Sequence, residues 1–229
     1  MPAEALSHSS IRHKNSLAPA TSNQLRAIAA TYCDADGGCH GPDHALRVEK
    51  TALYIGKHMD CRLDIIAAGA ILHDIGRRAE TACKGTLCHA IRGAELAKPI
   101  LQEFNFNTTD IDAICDTIRC HRYRGSLIPP TIEAKILFDA DKLDSIGAIG
   151  IGRAFLFAGE IGAKLHNNDQ NIIGSKSYTT EDTAYREFKV KMCKIKDRMF
   201  TPIGRQLALE RHAFMEIFFK RLDKEFFGS

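Results

Sequence analysis

The chain has 229 residues, enough to bury one large core or two small ones. Its 31 Lys and Arg against 28 Asp and Glu leave a net charge of +3, too small for a dedicated nucleic-acid backbone binder and compatible with a small anionic ligand. No stretch reaches the roughly 18 continuous apolar residues of a membrane span, and the polar start lacks an apolar signal segment, so a cytoplasmic protein is expected.

Residues 1–22 read as a flexible tail. Thr21 or Ser22 is placed to cap a first helix carrying Leu25, Ile28 and Ala29, which the turn Asp36-Gly37-Gly38 ends. His40 to His44 reads as a loop into a second helix with the apolar stripe Ala45, Val48, Ala52 and Ile55, and His44 lies at the edge of that stripe. The run Leu63 to Leu72 is long enough for a buried helix, yet it finishes on His73-Asp74. Burying an imidazole and a carboxylate is costly unless something binds them, and a metal ion is the simplest partner.

Gly76 is expected to break that helix, with Arg77 to Leu87 a charged, irregular connection. His89 opens an amphipathic segment with Ile91, Ala94, Leu96, Ala97 and Leu101 inward, which Pro99 should kink or split. Asp110 begins the next helix, whose buried positions are Ile111, Ile114, Cys115 and Ile118 and whose far end is His121. After Pro129-Pro130, Thr131 caps a helix over Ile132 to Leu143, and Asp141 projects from its apolar face. Asp139 points to another side and reads as a surface residue or a support for a ligand.

The glycines from Ile146 to Gly152 follow no strand, so they read as close helix contacts and not as a phosphate loop. Asn167 to Tyr178 reads as a surface loop. In the next helix Phe188, Met192, Ile195 and Met199 form the apolar stripe, while Lys191, Lys194 and Arg198 form a solvated face. Beyond Pro202 the last stripe is Leu207, Phe214, Phe218 and Leu222. The expected fold class is therefore all-α, in a single domain. The eight cysteines read as small reduced thiols. Three precede histidines (Cys39-His40, Cys88-His89, Cys120-His121), but neighbours about 100° apart on a helix rarely share one ion.

His44, His73, Asp74 and Asp141 stand on three of these helices. Read singly, each is a hydrogen-bonded core residue. Read together, two imidazoles and two carboxylates suit an open site for Mn²⁺, Mg²⁺, Ni²⁺, Co²⁺, Fe²⁺ or Zn²⁺. Such an ion acidifies bound water and polarises phosphoryl oxygens, so metal-assisted hydrolysis at phosphorus is expected. Arg47, Arg77, Arg78, Arg122, Arg124 and Lys142 lie close in sequence to these positions and supply positive charge for an anionic substrate.

The ordered set resembles the HD-domain metal-dependent phosphohydrolases, and within them the small bacterial YpgQ/YedJ-like branch. It is carried by His40-Gly41-Pro42-Asp43-His44, Leu72-His73-Asp74-Ile75-Gly76, His89-Ala90, His121-Arg122 and Asp139-Ala140-Asp141-Lys142-Leu143-Asp144. It continues through Gly147-Ala148-Ile149-Gly150 to Arg211-His212-Ala213-Phe214-Met215. The resemblance implies a helical bundle over residues 23–229, with a metal-binding core over about 40–145 and C-terminal helices over about 180–226. It assigns the metal to His44, His73, Asp74 and Asp141.

The resemblance also implies a nucleotide or other phosphate substrate, with removal of pyrophosphate from a nucleoside triphosphate as one activity. In that reading Asp74 accepts a proton from water, and Arg47, His89, His121, Arg122 and Lys142 hold the phosphoryl oxygens. Three residues after Asp141, Asp144 is placed to orient a ligand, a water or Lys142. His89 and His121 are alternatively ligands of a second ion, as in a two-metal cyclic-nucleotide phosphodiesterase. A non-catalytic nucleotide-binding module would keep the same site, a homodimer is left open, and no membrane or nucleic-acid partner is expected.

Overall fold

The computed structural model describes residues 15–33, 41–83, 85–122, 127–167 and 172–228, and it is all-helical. In chain order the helices are α1 (Pro19–Thr31), α2 (Pro42–Gly56), α3 (Leu63–Leu72), α4 (Arg77–Ala82), α5 (His89–Glu103), α6 (Thr108–Arg119), α7 (Ile132–Leu143), α8 (Gly147–Glu160), α9 (Ala184–Val190) and α10 (Pro202–Phe227). A 3₁₀ segment, Met192–Arg198, joins α9 to α10.

Helix α3 is buried from Leu63 to Leu72 and apolar except at Asp64, which Arg62 pairs at its start. One side, through Leu63, Ile66 and Ala70, joins a core shared with α2, α7 and the C-terminal helices. The other, through Ile65, Ala68, Ile71 and Leu72, joins a second core with α1, α5 and α6. His73-Asp74 therefore emerges between the two cores. Gly76 then lets the turn after α3 lie directly on α5, since a Cβ there would come within 2.2 Å of the His89 carbonyl and 2.5 Å of the Gly93 nitrogen. This contact brings His89 towards Asp74.

Local chemistry explains where the elements depart from expectation. The first helix starts at Pro19, not at a Thr21 or Ser22 cap, because proline at the first position needs no partner for its nitrogen; Ser22 is buried inside the helix. The expected 36–38 turn, His40, Cys39 and most of the expected tail lie outside the described residues. Arg77 to Ala82 is helical rather than irregular. Helix α5 runs unsplit through Pro99, which is exposed along with Glu95, the residue whose carbonyl loses its helical partner, so the lost bond falls on the solvent side. Ile91, expected inward, is 47% exposed. Asn107, not Asp110, caps α6 by accepting from the Asp110 nitrogen, whereas Thr131 caps α7 as expected.

Towards the C-terminus, the expected late helix is broken into α9 and the 3₁₀ segment, although Phe188, Met192, Ile195 and Met199 are all buried. The break removes the single helical face on which Lys191, Lys194 and Arg198 were expected to align. In α10 the expected Leu207, Phe218 and Leu222 are partly buried against the core, whereas Phe214 is 46% exposed. The fully buried positions are Gly204, Ala208, His212, Met215 and Phe219, a stripe with a histidine in it. Asn167 is buried and donates to the Glu181 carbonyl, so the expected surface loop is anchored at its start; residues 168–171 lie outside the described residues. Of the described cysteines, Cys61, Cys115 and Cys120 are buried free thiols, while Cys83 is exposed.

Asp139 is neither at the surface nor at the metal centre. Fully buried on α7, its carboxylate accepts from the Phe200 nitrogen (2.9 Å), the Thr201 nitrogen (2.7 Å) and the Thr201 hydroxyl (2.7 Å), and so fixes the start of α10. Gly204 has no Cβ because one would meet this carboxylate at 2.3 Å. Asp139→Ala should strand these donors and destabilise the fold by about 3 kcal/mol, read as a lower denaturation midpoint at unchanged m-value. Asp139→Asn, which still accepts on one oxygen, should cost less.

Candidate metal centre

Five helices each deliver part of one cluster. His44 lies in the first turn of α2, His73 and Asp74 follow α3, His89 opens α5, His121 follows α6, and Asp141 sits in the last turn of α7. His44 Nε2 lies 3.2 Å from His73 Nε2, 3.3 Å from Asp141 Oδ1 and 3.6 Å from Asp74 Oδ2. His73 Nε2 lies 3.6 Å from Asp74 Oδ2 and 4.0 Å from Asp141 Oδ1. All four residues read from sequence as ligands are thus brought together.

A second group adjoins the first. His89 Nε2 and His121 Nε2 are 3.2 Å apart, and both approach the other oxygen of Asp74, Oδ1, at 3.7 and 3.4 Å. Asp74 therefore stands between two pairs of imidazoles. Two sets, His44-His73-Asp141 and His73-Asp74-His121, are each compact enough to hold an ion.

Every imidazole is oriented through its remote nitrogen. Nδ1 of His44 is 2.7 Å from Asp144 Oδ2, that of His89 is 2.7 Å from Glu80 Oε2, that of His73 is 2.8 Å from the Ala70 carbonyl, and that of His121 is 2.6 Å from the Ile118 carbonyl. These partners can only accept, which assigns the proton to Nδ1 and turns the Nε2 lone pair inward. Four such nitrogens and two carboxylates then face one another. Arg77 and Lys142 offset part of this negative charge from the edge, and the inward set of imidazole nitrogens and carboxylate oxygens fits a divalent metal of the borderline or hard kind.

The electrostatics agree. Burial pulls His73 down to about 4 and, with Arg77 alongside, His89 to about 2, so both are neutral, the form that ligates. Burial also opposes charge on His44, but hydrogen bonds to Asp141 and Asp144 outweigh it and raise its pKa, so the same carboxylates that favour a proton there would favour a metal. Asp141 is buried yet held well below the usual carboxylate range by Lys142 and the facing histidines. Burial in turn lowers Lys142, which is ion-paired to Asp141.

The basic residues are engaged at the periphery of the cluster. Arg47 grips Asp144 through Nε (2.7 Å) and Nη2 (3.0 Å), supporting the residue that orients His44. Arg77 donates to Asp74 Oδ2 at 3.0 Å, and Arg122 lies 3.1 Å from Glu80 Oε1. Arg78 is exposed, and Arg124 lies outside the described residues. Sequence reading missed Glu80, which holds His89 and sits in the stretch taken as irregular. A helical reading of Arg77–Ala82 would have set Glu80 one turn from Arg77, facing the same site. It also missed Arg153, whose Nη1 reaches Asp144 Oδ2 at 3.0 Å.

The family model described as the HD domain matches residues 43–146, which contain every residue of this cluster. The chain is 32% identical over 209 residues to the uncharacterized protein YpgQ of Bacillus subtilis (strain 168), spanning 90% of this chain and 93% of that one. It is also similar to the crystal structure of Bacillus subtilis YpgQ in complex with ADP, at 32% identity and a TM-score of 0.68, covering 89% of this chain and 97% of that one. A crystal structure of an HD-superfamily hydrolase from Bacillus thuringiensis matches at 25% identity and a TM-score of 0.69, covering 91% and 97% of the two chains.

The depressed pKa of His73 has a measurable sign. An unfolded histidine takes up its proton near 6.5, whereas His73 in the fold does so only near 4. Between those values the unfolded chain binds the extra proton, so the His73 contribution weakens the metal-free fold as pH falls from about 6.5 towards 4. Long-range ¹H–¹⁵N spectra at pH 5.5 should show His73 neutral with its proton on Nδ1.

Proposed function

This chain belongs to the HD-domain family, and from that premise we propose that it hydrolyses a phosphate ester or anhydride of a nucleotide-like substrate, using a divalent metal held by His44, His73, Asp74 and Asp141. The observation that carries the reading is the inward convergence of histidine Nε2 atoms on Asp74 and Asp141, each ring locked from behind by an acceptor. The nucleotide part is supported by the relative crystallised with ADP. Loss of pyrophosphate from a nucleoside triphosphate is the specific reaction we favour, in a cytoplasmic setting.

When bound, the ion supplies Lewis-acid charge and a more acidic water. The chain's own groups do the rest. Asp74, a carboxylate bordered by both histidine pairs, is the base for the water proton. Lys142 and Arg77 lie against Asp141 and Asp74, where they balance the carboxylates and offer positive charge to phosphoryl oxygens. Arg122 extends that charge beyond Glu80, and Arg47 acts through Asp144.

A second reading, with two ions, is favoured by the approach of His89 and His121 to Asp74 Oδ1 on the side away from His44. Glu80 would then serve His89 as Asp144 serves His44. Metal titrations separate the two. Asp144→Asn should weaken the His44 site by about 10–100-fold, and Glu80→Gln should weaken a second, distinct site by a similar factor only if that site exists.

The hydrolysis itself is tested by incubating Mn²⁺-loaded protein with nucleoside mono-, di- and triphosphates and cyclic nucleotides, then assaying phosphate and pyrophosphate. Turnover should fall by more than about 100-fold in His73→Ala, since removal of a ligand exceeds the loss of an outer partner. Binding that stabilises the protein without turnover of any of them would assign a non-catalytic nucleotide-binding role instead.

A further inference from the structure

Two stretches singled out in the sequence, Gly147-Ala148-Ile149-Gly150 and Arg211-His212-Ala213-Phe214-Met215, give no group to the metal cluster, yet they meet beside it at the corner between α7 and α8. Gly147 opens α8 with a φ of 73°, in the left-handed region that favours glycine. A Cβ there would lie 3.0 Å from Cβ, 2.9 Å from Cγ and 3.2 Å from Cδ of Arg211. The bare glycine thus leaves a track for the arginine stem. Lying across it, Arg211 reaches α7 and donates from Nη1 to the Leu143 carbonyl at 2.5 Å. Gly150 seats the first turn of α8 on the same corner, since its Cβ would fall 2.4 Å from the Ser145 carbonyl.

The last carbonyls of a helix lack donors from within it, and here each is supplied from the corner. The Lys142 carbonyl accepts from the Ser145 nitrogen at 3.0 Å, the Leu143 carbonyl from the Ile146 nitrogen at 3.3 Å and from Arg211, and the Asp144 carbonyl from Arg153 Nη1 at 3.1 Å. Arginines from α8 and α10 therefore stand at the end of α7, where the helix dipole is negative. This same end carries Asp141, whose Oδ1 lies 3.3 Å from His44 Nε2, and Asp144, whose Oδ2 lies 2.7 Å from His44 Nδ1. Helical neighbours point about 100° apart, so a modest rotation of this end takes one carboxylate off its nitrogen. Helix α10 is itself fixed to α7 through Asp139 and Thr201, which gives Arg211 a rigid base.

We propose that Arg211 is a positioning residue for the metal centre: by holding the Leu143 carbonyl across Gly147, it sets the end of α7 so that Asp141 and Asp144 grip His44 from both sides. Its action is indirect, through the backbone. The metal part rests on the reading above, whereas the placing of the His44 ring rests on the hydrogen bonds just described.

The test uses the full-length chain, with long-range ¹H–¹⁵N spectra of His44 in the metal-free protein and calorimetric titration with Mn²⁺. Arg211→Ala should shift the His44 ring resonances and weaken Mn²⁺ binding about tenfold, the lower end of what loss of an outer partner costs. Arg211→Lys, which keeps a donor and a cation, should restore most of that affinity. Gly147→Ala, which strains the left-handed φ and displaces the arginine stem, should act as Arg211→Ala does and serves in its place if that variant does not fold. In an Asp144→Asn background, Arg211→Ala should weaken binding by less than about threefold, because both changes act on one ring. A lowered denaturation midpoint with unmoved His44 resonances and unmoved Mn²⁺ affinity would show a merely structural role and overturn the inference, as would fully additive losses in the double variant. Absence of Mn²⁺ binding by the unaltered chain would overturn the metal reading, and shifted His44 resonances in Arg211→Ala would still uphold this one.

Discussion

Asp74 is the constraint on which the site depends. Its two oxygens face different histidine pairs, His44 with His73 and His121 with His89, so the helices that carry those rings must meet at one carboxylate. Helix α3 makes this possible by being buried on both sides. A one-sided amphipathic helix would end at the surface, where a carboxylate is solvated and costs little. Ending between two cores, α3 delivers Asp74 where only cations and donors can satisfy it, and Gly76 lets α5 close from the far side.

The charge arrangement follows from that placement. The structure surrounds Asp74 and Asp141 with imidazoles, one arginine and one lysine, and it sets a further ring of carboxylates, Asp144 and Glu80, behind the imidazoles. Arg47, Arg122 and Arg153 then hold this outer ring. Donors and acceptors alternate from the centre outwards, with Arg77 and Lys142 the cations beside the central carboxylates. Each layer fixes the geometry of the one inside it, which is how side chains from five helices keep Nε2 atoms within a few ångströms of one another without a covalent link.

This layering explains what the sequence could convey. His44, His73, Asp74 and Asp141 were legible because each is a polar group on or at the end of an apolar pattern, an anomaly that invites a binding explanation. Asp144 was legible by its spacing from Asp141. Glu80 was not, because a six-residue helix rich in charge has no apolar stripe to announce it. Asp139 was misread because helical angle separates it from Asp141 without saying what lies there, and its partners are about 60 residues away at Phe200 and Thr201. In α10, His212 occupies a core position that an apolar pattern does not mark, whereas Phe214, which it does mark, faces water. Long-range partners and polar core residues were the common sources of error.

The corner between α7 and α8 ties the two ends of the molecule together. Asp141 lies in the last turn of α7 and Asp144 caps it, one facing His44 Nε2 and the other His44 Nδ1, so a single imidazole is held by both. Three residues separate α7 from α8, so the helix after the corner starts within a few residues of the carboxylate that supports His44. Arg153, two turns into α8, reaches back to the carboxylate and carbonyl of Asp144. The position of α8 is therefore tied to the carboxylate that orients His44, and Arg153→Ala would leave Asp144 held by Arg47 alone.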